Sequence, residues 1–305
     1  MGFGFANPAN AALFTTNVQQ AAGSNWLGTI WSPGAVAPTA GNTYEAIAGG
    51  GPTRIRNPNL GGLGGTTSFP GDSLTIDASA EIRMKGGANT VVDFPGVGGN
   101  PGLILNGGLV NTGDEQVFTM TGIISVAANS SMDFGAPAIA PLRAINIGAE
   151  LRGSGQLSLL SAGPTNPPLD ITSTNNTLFS GGWNVATGFL KGTGAGSLGS
   201  GSILVAAGAK LDTDYDVNNP ASSLTLAGST SIMVLDQNDT FGAVTINGVP
   251  LAAGNYSFAT LNSTFDSNFQ DGGSGSITVG AVPEPATLGL LAMAGLWVGK
   301  RRRKA

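Results

Sequence analysis

Between residues 73 and 260 the chain repeats a short phrase: an apolar–polar alternation, a break of Gly, Ala, Asn or Ser, then an apolar residue again. Leu74-Thr-Ile-Asp-Ala-Ser-Ala-Glu-Ile82 and Ile145-Asn-Ile-Gly-Ala-Glu-Leu151 are two copies. Leu204-Val-Ala-Ala-Gly-Ala-Lys-Leu211 and Leu224-Thr-Leu-Ala-Gly-Ser-Thr-Ser-Ile232 fit the same mould. Alternation of period two marks a strand with one buried face. The second apolar anchors of the phrases are Ile82, Leu109, Met132, Leu151, Ile171, Leu190, Leu211 and Ile232, spaced by 27, 23, 19, 20, 19, 21 and 21 residues. A step near 20 with strands of three to five residues predicts an all-β solenoid whose coils stack inward Val, Ile, Leu and Met on one another. A β-sandwich, with strands every 8–12 residues, is the alternative. The doublets match as units and hairpin signals are few, which favours the solenoid.

Composition supports many short strands. Of 305 residues 49 are glycine, with no three-residue period, so collagen is excluded. Interior glycine costs a helix about 1 kcal/mol, which argues against long soluble helices. Flanking the repeats, residues 12–72 are expected to form an N-terminal cap, with Trp26, Trp31 and Tyr44 either covering the open end or offering a sugar-stacking platform. Residues 73–243 are the solenoid. Residues 244–280 are expected to be a closing cap that ends in a flexible spacer, Asp271-Gly-Gly-Ser-Gly-Ser276.

The end of the chain is built differently. Ala286 to Gly299 is an uncharged run of fourteen residues, followed by Lys300, Arg301, Arg302, Arg303 and Lys304. As a helix the run spans about 21 Å, short of the ~30 Å hydrocarbon core but extendable by snorkelling cations and local thinning. The positive-inside rule keeps the cations cytoplasmic and sends everything before Pro283 across the membrane. Without these five cations and Glu284, the remainder holds eight cations against seventeen acids, a charge of −9. That body has no electrostatic footprint for nucleic acid.

Pro283-Glu284-Pro285, a short apolar helix and Arg301-Arg302-Arg303 in that order resemble the PEP-CTERM sorting signal of Gram-negative bacteria. The resemblance covers about residues 281–305, with the transmembrane helix at about 286–299 and the basic tail at 300–304. It implies recognition and processing by an exosortase at Pro283, Glu284 and Pro285. A transient stay in the cytoplasmic membrane would then end at the cell surface or in the extracellular matrix, in bacteria that make extracellular polysaccharide. At the other terminus, residues 1–11 lack a basic start and an apolar stretch, yet contain Ala9-Asn10-Ala11, a signal-peptidase pattern. This segment is expected to be the remnant of a truncated signal peptide, with a chance occurrence as the alternative.

A second resemblance lies in the body. Asn176-Thr-Leu-Phe-Ser-Gly-Gly-Trp183, Ser197-Leu-Gly-Ser-Gly-Ser-Ile203 and Ala207-Gly-Ala-Lys-Leu211 are similar to the autotransporter-associated β-strand repeat. That implies a right-handed parallel β-helix of the passenger type. The twelve-strand translocator of autotransporters has no counterpart after Gly280.

Candidate chemistry is sparse. The chain has no cysteine and no histidine, which removes disulfides, structural zinc and the commonest catalytic base. The densest acid cluster is Asp212-Thr-Asp-Tyr-Asp216, with the first spacings of a calcium loop. Val217 and Ser223 stand where an EF-hand needs Gly and Glu, leaving Asp212, Asp214 and Asp216 as a weak Ca²⁺ candidate or a solvated turn. Gly49-Gly-Gly51 lacks the lysine of a phosphate loop. The expectation is a non-enzymatic exported repeat protein without a cofactor; a polysaccharide lyase or hydrolase, or an adhesin, is the alternative.

Overall fold

The computed structural model describes residues 11–16, 25–47, 53–60, 64–87, 89–112, 117–133, 144–160, 167–269 and 273–280. Strand β1 (Ala12–Thr16) comes first, and successive turns of chain then each lay down a set of short strands. These are β2 (Asn42–Ala46), β3 (Thr53–Arg56) and β4 (Gly65–Ser68), then β5 (Ser73–Asp77), β6 (Ala80–Met84) and β7 (Thr90–Phe94). Next come β8 (Leu103–Asn106), β9 (Leu109–Thr112), β10 (Val117–Ala128), β11 (Ser130–Asp133) and β12 (Ala144–Ile147). The series continues with β13 (Glu150–Arg152), β14 (Leu157–Leu160), β15 (Leu169–Ile171) and β16 (Trp183–Gly192). Narrower turns hold β17 (Ile203–Val205), β18 (Ala209–Thr213), β19 (Asn218–Leu226), β20 (Ile232–Met233) and β21 (Asn238–Ile246). A terminal unit of β22 (Val249–Pro250), β23 (Gly254–Ser257), α1 (Phe258–Phe269) and β24 (Ser276–Val279) closes the series.

Most strands pair in parallel with an equivalent one turn away, so the chain visits three ladders in rotation. The first carries the inward column Phe14, Tyr44, Leu74, Leu103, Ile124 and Leu151. The second carries Ile55, Ile82, Val110, Met132, Leu159, Val185, Val205, Leu226 and Ile246. The third includes Val92, Met120, Ile147 and Ile171, and then Leu190, Leu211 and Met233. Among the described strands only the β21–β22 and β23–β24 pairs are antiparallel, and both belong to the terminal unit. The arrangement is all-β and agrees with a β-solenoid. The cause is local: in Ser73–Asp77 the residues alternate half-buried and buried, placing Leu74 and Ile76 inside. Each fully buried aliphatic side chain of such a column contributes about 1.5–3 kcal/mol.

The period differs from the expected step. Members of the second column are 27, 28, 22, 27, 26, 20, 21 and 20 residues apart. Of the expected anchors, Met132, Leu151 and Ile171 lie on the second, first and third ladders, so their near-20 spacing steps between sides and not between coils. Leu109 and Ile232 point outward, next to the buried Val110 and Met233. A slip of one residue along a strand exchanges its two faces. Leu190 and Leu211 are a true rung.

Four of the described strands exceed five residues, and two of them, β10 and β16, do so because they turn a corner without breaking. In β10 the first half pairs on the third ladder and the second half on the first. The bend is at Gly122, with φ +92°, where a Cβ would run into the carbonyl of Phe94. Only glycine combines that dihedral with that approach.

Parallel pairing also extends on both sides of 73–243. β1 to β4, within the expected cap of 12–72, are rungs of the ladders. At the other end α1 is a short helical segment of twelve residues, kinked at Phe265 (φ −131°), within the closing cap expected at 244–280. Ser257 Oγ accepts from Thr260 N at 3.3 Å as its cap. Buried Asn268 fixes it to the last coils: its amide nitrogen donates to the carbonyls of Gly228 (2.9 Å) and Ser231 (2.7 Å). Among the described residues no helix is long and apolar enough to cross a membrane; the helix expected at 286–299 lies outside them.

Candidate functional site

The last strand positions the terminal signal. β24 is held from both sides, by β21 in parallel and by β23 antiparallel, with Gly254 directly opposite Val279. Gly275 donates to the carbonyl of Leu235 at 2.9 Å and accepts from Phe258 N at 2.9 Å. The stretch expected to be a free spacer therefore leads into a fixed rung, and three residues separate Val279 from Pro283. Asp271 and Gly272 of that stretch, Pro283, Glu284, Pro285, Arg301, Arg302 and Arg303, as well as Ala9, lie outside the described residues. Ala11 is exposed just ahead of β1.

The acid cluster does not converge. Asp212 Oδ2 and Asp214 Oδ1 lie 3.5 and 3.0 Å from Lys191 Nζ. Asp216 points elsewhere, its Oδ1 accepting from Asn238 N at 2.8 Å. Among the described residues no three acidic side chains form a group able to hold a metal ion. The parallel register puts Asp170, Lys191 and Asp212 side by side on the outer face of the third ladder. Burial pushes the Asp170 pKa up, against the pull of Lys191. Burial pulls Lys191 down, but the Asp214 and Asp212 carboxylates outweigh it and its net shift is upward. Lys191 and Asp170 escaped the sequence reading, although the 21-residue step that aligns Leu169, Leu190 and Leu211 also aligns the residue after each.

A second acid sits inside. Asp239 takes a core position on β21 and is 1% exposed. Its Oδ1 accepts from Val217 N at 2.7 Å, while its Oδ2 has no hydrogen-bond partner among the described residues. Burial, with a lesser push from Asp216, raises its pKa to about 7.

The aromatic residues near the N-terminus are core. Trp26, Trp31 and Tyr44 are at most 1% exposed, so no face is left for a sugar to stack on. Trp26 packs edge-on against Phe69 and Phe94 at 5.6 and 5.7 Å, and Trp31 against Tyr44 at 5.0 Å. Farther along, Asn176 bridges coils by accepting from Leu151 N (2.7 Å) and donating to the Ser197 carbonyl (2.6 Å). Trp183 Nε1 donates to the Leu198 carbonyl at 3.0 Å.

These features define an all-β protein of stacked parallel rungs whose last strand runs almost directly into a terminal signal. Residues 281–304 match the PEP-CTERM protein-sorting motif. The motif implies exosortase-dependent sorting of an exported protein that is transiently anchored in the membrane. No curated protein and no solved structure matches the chain.

Proposed function

We propose that this protein is a non-enzymatic surface or extracellular-matrix component, sorted by an exosortase that reads Pro283-Glu284-Pro285 and removes the residues beyond it. The observation that carries the reading is the sorting motif at 281–304, which begins two residues past the end of β24. In this reading residues 286–299 form the transient transmembrane helix, Arg301, Arg302 and Arg303 hold its cytoplasmic side, and residues 1–11 are the remnant of an export signal. The coils wind as a right-handed parallel β-helix, because parallel crossovers take that hand in about 98% of cases. In this reading the body is a repeat of the autotransporter-associated type, on the resemblance of residues 176–183, 197–203 and 207–211. Extracellular polysaccharide is the proposed surrounding.

Non-enzymatic function is favoured because the densest acids are engaged, Asp212 and Asp214 by Lys191 and Asp216 by a backbone amide. A polysaccharide-cleaving activity would have to use the outer face of the third ladder, where Asp170, Lys191, Asp212 and Asp214 gather. Mass spectrometry of the mature protein from its own host tests the sorting reading. The expected product lacks the residues after the Pro-Glu-Pro segment; host protein extending through Ala305, in cells with an active sorting enzyme, would overturn it.

A further inference from the structure

The terminal unit carries little charge: between Asp239 and Asp266 no residue is charged. This segment supplies β22, β23 and the first two turns of α1. Its turn, residues 247–254, reads Asn-Gly-Val-Pro-Leu-Ala-Ala-Gly and folds back on the end of β21. All of it except Leu251 is exposed, and Val249 is 50% exposed.

Its location is fixed by register. Val249 lies opposite Ile246 at the end of β21, and Gly254 lies opposite Val279, the last residue of β24. The turn therefore ends beside the point where the chain departs toward the sorting motif. From Val279 to Pro283 there are four Cα steps, a reach of at most about 14 Å. From Val279 to Ala286, the first residue of the uncharged run, the reach is at most about 25 Å. The body has no long tether on which to float away from the surface that holds its tail.

The tether decides which end of the molecule faces that surface. A bacterial leaflet bearing anionic headgroups repels carboxylates and accepts uncharged, partly apolar groups at its interface. Here the short tether and an uncharged, partly apolar turn coincide at one end, and Asp266, the acid of this unit among the described residues, lies on α1 outside the turn. We propose that the turn at 247–254 rests on the outer surface of the lipid membrane in which the C-terminal segment is held, with Val249 and Pro250 in the headgroup region. This contact holds the terminal unit against the bilayer and keeps Glu284 at the interface until processing. The inference rests on the reading of residues 281–304 as a membrane-held sorting signal.

The test uses the full chain incorporated into vesicles of phosphatidylethanolamine and phosphatidylglycerol. Because the chain has no cysteine, Val249→Cys gives a single labelling site for an environment-sensitive fluorophore. Leu178→Cys, 59% exposed and several coils away, is the control. A headgroup-borne quencher should dim the label at 249 severalfold more than the label at 178. Equal quenching in chains that float with the vesicles would overturn this contact and leave the anchor reading intact. Failure to float at all would overturn both. Should Val249→Cys disturb the turn, Ala253→Cys repeats the measurement at a neighbouring exposed position. In the host, Val249→Asp should slow processing severalfold while circular dichroism stays unchanged. The same slowing without quenching at 249 would assign the turn to the sorting enzyme and remove the lipid contact.

Discussion

The early coils are wide and filled with rings, whereas the late coils are narrow and filled with branched aliphatic side chains. Along the first ladder Phe14, Tyr44, Leu74 and Leu103 stand 30, 30 and 29 residues apart. In the second ladder Val185, Val205, Leu226 and Ile246 stand 20 to 21 apart. The early interior holds Trp26, Trp31, Tyr44, Phe69 and Phe94, in contact edge to face. Buried polar side chains occur in both, Thr53, Asn57 and Thr90 early and Ser197, Thr213 and Asp239 late. One scaffold thus meets the demand for dense packing in two ways. Where the coil is large, rings fill it; where it is small, aliphatic side chains suffice, and the buried aspartate there, Asp239, takes a backbone amide and holds its proton.

The largest effect expected from this contrast is in the wide half. Trp26→Ala removes a ring packed against Phe69 and Phe94, and the surrounding coil is too constrained by its ladders to collapse. The expected loss is about 3–5 kcal/mol, read from denaturant unfolding. A loss below about 1 kcal/mol, small for a buried ring, would mean that the early coils are held by their ladders alone and that the rings merely occupy space.

The narrow half should respond to pH. The Asp239 pKa is about 7 in the folded protein, against the ordinary 3.8. The folded state therefore holds this proton more tightly than the unfolded state. The contribution is most favourable near pH 4, is lost progressively up to about pH 7, and changes no further above that. The full span corresponds to up to about 4 kcal/mol. Asp239→Asn keeps an acceptor for Val217 N and removes the titration, so its stability should fall much less between pH 4 and pH 7. Parallel stability curves for the two proteins across that range would refute the assignment.

The contrast also explains which features could be read from the chain. Residues that alternate, such as Ser73–Asp77, announce their strands because burial on one face imposes period two. The coil length was legible in the narrow half, where Leu190 and Leu211 repeat at 21. In the wide half the loops at the corners vary in length, so an anchor on one side can mimic the next coil on another, as Met132, Leu151 and Ile171 do. Helix α1 escaped because its residues are weak helix formers; Asn268, docked on Gly228 and Ser231, holds it by tertiary hydrogen bonds. The sorting segment was legible for the opposite reason: its signal is linear, and needs no partner from elsewhere in the chain. The ion pairs of Asp212 and Asp214 escaped because their partner, Lys191, comes from the preceding coil.

The smallest expected effect is at that pair of coils. Lys191→Met keeps the length and apolar stem of the side chain but removes the charge shared by Asp212 and Asp214. Its side chain is 25% exposed and that of Asp214 48%, so solvent screens the attraction and the loss should be only about 1 kcal/mol. Added salt should shrink the loss, because screening weakens the pairs that the substitution removes. Without the lysine, Asp170 loses its main stabilising neighbour and its already raised pKa should climb further, which NMR titration of its carboxyl carbon can follow. If thermal stability drops by far more than this and salt leaves the loss untouched, Lys191 supports the third ladder through its packed stem, and the narrow coils depend on apolar contact as fully as the wide ones.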